Sequence, residues 1–158
     1  MTKKTVLLSC CLLFIVGALS AWFLTNRSMR DTQVCSATLF IYKDDIRANL
    51  TLDFMYTLQK KTGVVAVSGT YAQGDKTIGA IRRDVSYSWE ENNDTFHFLS
   101  QKVKKIHDDE SLSDEKISEI LPDFFVYPDT TVHYSIINQG DKGFMFTVGK
   151  RPVFFCSR

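Results

Sequence analysis

The chain has 158 residues, of which 44% are hydrophobic and 13% aromatic, with nineteen Lys and Arg against eighteen Asp and Glu. Near-neutrality excludes the clustered basic face of a nucleic-acid-binding surface; Lys102, Lys104 and Lys105 form the one local basic cluster and read as a solvated strand end. From Asp31 onward the balance is 15 basic to 18 acidic residues, a net of −3, so the basic excess belongs to the N-terminal stretch.

The first element is TVLLSCCLLFIVGALSAWFL, residues 5–24, an uncharged run behind Lys3 and Lys4. Twenty helical residues span about 30 Å, the thickness of a bilayer's hydrocarbon core. A cleavable leader has a shorter apolar stretch, roughly 7–15 residues, ending in a small-x-small site. Ala18, Ser20 and Ala21 offer such sites, but the run continues through Trp22, Phe23 and Leu24. Leu7-Leu8-Ser9-Cys10 looks like a lipobox but lies too close to Lys4 for the usual apolar segment. The expectation is an uncleaved anchor, with a cleaved leader and a lipoprotein as alternatives. Arg27 and Arg30 flank its far side, so charge alone leaves the orientation open. A basic head ahead of an apolar segment ordinarily stays in the cytoplasm. That makes 1–4 a cytoplasmic stub, 25–33 a tether reaching at most about 30 Å, and 34–158 an exported domain of single-domain size.

Cys10 and Cys11 lie inside the apolar run, whereas Cys35 and Cys156 bracket the exported domain. In an oxidising compartment the latter two pair, and closing so long a loop is worth roughly 5 kcal/mol. Two separate buried thiols are the cytosolic alternative. The spacing excludes a CxxC redox motif and a four-cysteine zinc site.

Beyond the tether the sequence alternates with period two, as half-buried strands do. Cys35 to Tyr42 is the first strand, ended by Lys43-Asp44-Asp45. In RANLTLDFMYTLQK, residues 47–60, Ala48, Leu50, Leu52, Phe54, Tyr56 and Leu58 share one face. Val64–Tyr71 follows, then Lys76–Trp89, with Ile81, Val85, Tyr87 and Trp89 on a common face, and then Thr95–Val103. The period changes in SLSDEKISEILP, where Ser113 is a plausible N-cap and Ile117, Ile120 and Leu121 fall at helical spacing before Pro122. This short helix reads as a lid on the sheet. Strands resume at Thr131–Ile137, Phe144–Val148 and Pro152–Cys156. About eight antiparallel strands with one helix form a mainly β fold. A meander of this length closes into a barrel, which removes its edges and brings Cys35 and Cys156 together. An up-and-down, lipocalin-like barrel is therefore expected, with a β-sandwich as the alternative.

The chemistry on offer is sparse. His97 lies between two phenylalanines in a strand, and His107-Asp108-Asp109-Glu110 reads as an acidic turn rather than a metal cluster. No nucleophile elbow, phosphate loop or paired-carboxylate motif is present. Asn26, Asn49 and Asn93 begin sequons that matter only in a eukaryotic secretory pathway. The expectation is a protein without catalysis, cofactor, metal or nucleic acid. Aromatics are abundant, and a small barrel either packs them solidly or encloses one apolar ligand. Leu52, Phe54, Tyr56, Tyr87, Trp89, Phe96 and Phe98 are the candidate lining; both readings stay open.

The basic head, the anchor, CSATLFIY at the start of the exported domain, ILPDFF after the helix and the C-terminal RPVFFCSR together resemble the FidL-like family of enterobacterial inner-membrane proteins. The build also resembles the ToxS and VtrC type of periplasmic accessory protein, by analogy of plan rather than by motif. The resemblance implies a single-pass inner-membrane protein with a periplasmic domain. It further implies partnership with a ToxR-like transmembrane regulator, with a shared pocket for an amphipathic molecule such as a bile salt. A stand-alone envelope binding protein for a lipid or hydrophobic small molecule is the competing expectation.

Overall fold

A computed structural model describes residues 11–23, 32–106 and 110–158. The chain divides into two units, 1–32 and 33–158. In the first, residues 11–23 form helix α1, the described part of the apolar run. Among the described residues no helix is long and apolar enough to cross a membrane. The remainder of the expected anchor, the stub, most of the tether and His107–Asp109 lie outside the described residues.

From Thr32, the last residue of the first unit, the chain runs β1 (Thr32–Lys43), β2 (Ile46–Thr57), β3 (Thr62–Gln73), β4 (Lys76–Asn92), β5 (Thr95–Lys105), α2 (Asp114–Ser118), a 3-10 turn (Asp123–Phe125), β6 (Thr131–Asn138), a second 3-10 turn (Gly140–Lys142), β7 (Gly143–Val148) and β8 (Arg151–Ser157). The eight strands close in sequence order into one antiparallel barrel. That closure excludes the sandwich alternative. β1 begins three residues before Cys35, so Thr32 and Gln33, expected in the tether, belong to the wall.

Local chemistry accounts for the meander. In β2 the alternation places Ala48, Leu50, Leu52 and Phe54 inside and Asn49, Asp53 and Met55 outside. Asn93 and Asp94 join β4 to β5 with φ of 50° and 60°. Two successive positive φ angles give a hairpin twist that matches the strands, and Asn and Asp tolerate them best after Gly.

The β5–β6 connection departs from the meander and plugs one end of the barrel. β5 and β6 pair over four positions, Phe96–Leu99 against Thr131–Tyr134. The chain between them folds back so that Leu112, Ile117, Leu121, Phe124, Phe125 and Val126 are all buried. Gly79 makes this possible, since a Cβ there would lie 2.9 Å from both Leu112 Cδ1 and Ser111 Oγ. The helix is shorter than its periodicity predicts: α2 covers Asp114–Ser118, and Ser113 holds the N-cap position without a side-chain hydrogen bond. Pro122 disfavours helical backbone at Leu121 and has no N–H to continue the ladder. The chain restarts as the Asp123–Phe125 turn, which inserts two phenylalanines that helical spacing does not single out.

Candidate functional site: an aromatic chamber beside a narrow seam

Odd strands begin, and even strands end, at the barrel pole opposite the plug. Antiparallel order therefore gathers there Phe54 and Tyr56 of β2, Tyr87 and Trp89 of β4, Phe96 and Phe98 of β5, and Phe144 and Phe146 of β7. With Gln33, Cys35, Leu58, Ile136 and Arg158 they line a cavity of about 260 Å³. Gly63 on β3 leaves room for its cross-strand partner Tyr87, whose ring atoms would stand 2.5 Å from any Cβ at that position.

Six of the seven residues proposed from sequence line this cavity, and Leu52 does not. Leu52 is one inward position deeper on β2, fully buried, and lines a second space of about 320 Å³ toward the plug. Between the two lies a packed aromatic floor. Phe146 stacks on Phe154 at 4.5 Å and on Phe54 at 5.6 Å, and Tyr134 meets Phe146 and Phe154 edge-on at 5.6 and 5.7 Å. Solid core and cavity thus coexist at different depths.

The mouth carries the polar groups. Tyr56 OH donates to Gln33 Oε1 at 3.3 Å, and Arg158 Nη2 donates to the same oxygen at 3.4 Å. The Arg158 guanidinium lies 4.5 Å from the Phe144 ring centroid, and Lys61 Nζ 5.7 Å from that of Trp89. Burial pushes the Tyr56 hydroxyl up, with Arg158 offsetting part of the effect. Burial also raises Tyr87, with Tyr56 adding to it, and takes Tyr134 up to about 12. These phenols are therefore neutral donors at physiological pH. Trp89 Nε1 is buried and lacks a hydrogen-bond partner among the described residues. The chamber offers apolar walls, hydrogen-bond donors and two cations, Arg158 and Lys61, at its rim.

Beside the chamber runs the closure of the barrel. Cys35 and Cys156 form a disulfide with Cα atoms 5.3 Å apart. Next to it Ser36 faces Ser157, the one register pair of the β1–β8 seam among the described residues, and Ser157 Oγ donates to Ser36 O at 3.1 Å. Toward the plug, Thr38–Ile41 of β1 and Val153–Phe154 of β8 line the second space. The outer surface there is apolar, with Phe40, Tyr42, Val153 and Phe155 exposed.

Sequence reasoning passed over Arg83. It is fully buried at an inward position of β4, between Ile81 and Val85. Its guanidinium donates to Glu110 at 2.5 and 2.9 Å and to Asp114 at 3.0 Å, while Lys105 Nζ reaches Asp114 at 2.6 Å. Burial pushes the Asp114 carboxyl up, but hydrogen bonds from Lys105 and Arg83 outweigh it and hold the group below the usual carboxylate range. An arginine on the inner phase of an otherwise apolar strand was the legible signal.

Fold and chamber together define a disulfide-closed, eight-stranded antiparallel barrel, plugged at one pole and hollow at the other. Residues 32–156 match the family described as the YqeJ C-terminal domain, and the chain belongs to that family. It is 40% identical over 153 residues to the uncharacterised protein YqeJ of Escherichia coli (strain K12), a match covering 93% of this chain and 96% of that protein. These matches do not carry the FidL-like, ToxS or VtrC resemblance, which rests on the quoted motifs and on the plan of the chain.

Proposed function

We propose that this protein is a membrane-tethered, non-catalytic accessory subunit. In this reading its periplasmic barrel partners and stabilises the sensory domain of a single-span, ToxR-like transcription regulator. The observation that carries the reading is the β1–β8 seam, where one register pair and a disulfide hold two strands whose outer surface is apolar. Incompletely paired strand edges are the feature that strand addition by another chain exploits. An extended segment of the regulator would extend the wall there. The FidL-like resemblance, the apolar run at 5–24 and a disulfide suited to an oxidising compartment support the inner-membrane, periplasm-facing placement. The chamber supports the ligand half of the reading. Its volume of about 260 Å³ is below the roughly 300–1,000 Å³ of ordinary ligand pockets. An amphipathic ligand would therefore be slim, or shared with the partner's surface.

The test is co-purification from membranes in mild detergent, with mass spectrometry of what accompanies the full-length chain. A single-span regulator should be recovered with the wild type and lost with Phe40→Asp or Phe155→Asp, and its cellular level should fall when this protein is deleted. A regulator that accumulates and signals normally without it, with no complex recovered, defeats the reading. The chamber would then favour the second reading, a stand-alone envelope binding protein for a lipid or hydrophobic small molecule.

A further inference from the structure

On the outer face of the wall, His97 of β5 and His133 of β6 are direct register partners. Their ring centroids are 4.5 Å apart and their planes inclined at 67°. On its other side His97 faces Glu90 of β4. Opposed residues of antiparallel strands hold their Cβ atoms about 4.5–5.5 Å apart on one face of the sheet. Glu90, His97 and His133 therefore form a row across three strands. Glu90 and His133 are exposed and His97 half-buried. Phe98, buried on the inner face, fixes the alternation of β5 and keeps His97 outward.

We propose that this row binds a divalent transition-metal ion of the zinc or copper class. The two imidazoles are the primary ligands and the Glu90 carboxylate completes the set. Imidazole pairs suit these ions, and two histidines with one carboxylate make a zinc ligand set that leaves a position for water. The three side chains are not drawn into a closed ligand group in this structure. The backbone nevertheless presets the histidine pair, and the exposed Glu90 stands beside His97 in register on the neighbouring strand. Coordination would clamp β5 to β6 at the centre of their four-pair ladder. An ion that binds only the folded wall raises its stability by mass action. This inference stands on the outer surface and does not depend on the proposed partner or on the chamber.

The experiment uses the full-length chain in detergent, with Cys10→Ser and Cys11→Ser removing competing thiols. Zinc binding is followed by calorimetry and by thermal unfolding, with circular dichroism confirming the fold of each variant. One Zn2+ should bind per chain and raise Tm. Both effects should be lost in His97→Gln and in His133→Gln, and retained in His107→Gln, which alters the acidic segment elsewhere in the chain. The affinity should fall in Glu90→Gln; an unchanged affinity there overturns the three-residue row. Absence of zinc binding by the starting protein overturns the proposal, as does binding that survives both His97→Gln and His133→Gln or disappears in His107→Gln.

Discussion

Arg83 is a charged residue fully buried inside the barrel. A guanidinium inside a barrel is tolerable only with charged acceptors around it, and Glu110 and Asp114 supply them from the plug. Removing one partner strands a buried charge, at a typical cost of about 3–5 kcal/mol. Glu110→Ala should therefore lower the unfolding free energy extrapolated from urea titration by an amount in that range, whereas the exposed pair Arg47–Asp75 should matter little when Asp75 is replaced. Asp114 adds a pH dependence. Its folded-state pKa is depressed, so its contribution is present above the ordinary carboxylate value of about 4 and is lost as pH falls through the lower folded value. Urea midpoints measured from pH 6 down to pH 2 should drop for the wild type below about pH 4. The Asp114→Asn profile should start lower and fall less.

At the scale of elements, two devices hold a barrel whose seam has little backbone pairing. The disulfide joins residues separated by 121 positions, and a native bond of this kind is worth about 2–5 kcal/mol. Cys35→Ser should lower stability by that amount and leave Cys156 as a titratable thiol. The plug is the second device. Phe124 is buried against Tyr87 and Phe98, with centroids at 5.9 and 6.3 Å, so Phe124→Ala should cost about 3–5 kcal/mol. Denaturant unfolding of the two single variants and the double variant would measure each, and because Phe124 packs on Tyr87 and Phe98, which line the chamber with Cys35, the double variant also reports any coupling between them.

At the scale of the whole molecule, the chamber and the seam should separate by mutation. Trp89 lines the cavity with a buried N–H that has no partner among the described residues, whereas Phe40 lies exposed on the outer face of β1. On the proposed function, Trp89→Ala should abolish ligand binding while leaving the complex recoverable from detergent, whereas Phe40→Asp should lose the complex and leave the chamber intact. A loss of both functions with a lowered Tm in Trp89→Ala would assign that residue to structure alone. The proposed topology has its own check. N-terminal sequencing of membrane-extracted protein should start at or next to Met1, and a phosphatase fused after Arg158 should be active.

The sequence by itself determined the apolar inward faces and the hairpin turns, because these follow from local rules, and its strand count pointed to the closure that pairs Cys35 with Cys156. Period-two alternation sets the face, residues such as Asn93 and Asp94 accept the turn geometry, and strand count implies closure. Depth along the barrel axis follows no local rule. Leu52 and Phe54 carry the same alternation signal, yet one lies beneath the aromatic floor and the other at the cavity. Strand stagger, set by closure of the whole sheet, decides between them. The Phe124–Phe125 insertion and the acceptors of Arg83 were likewise decided by tertiary structure. They depend on where a connection of irregular backbone lands, and neither a period of two nor one of 3.6 encodes that.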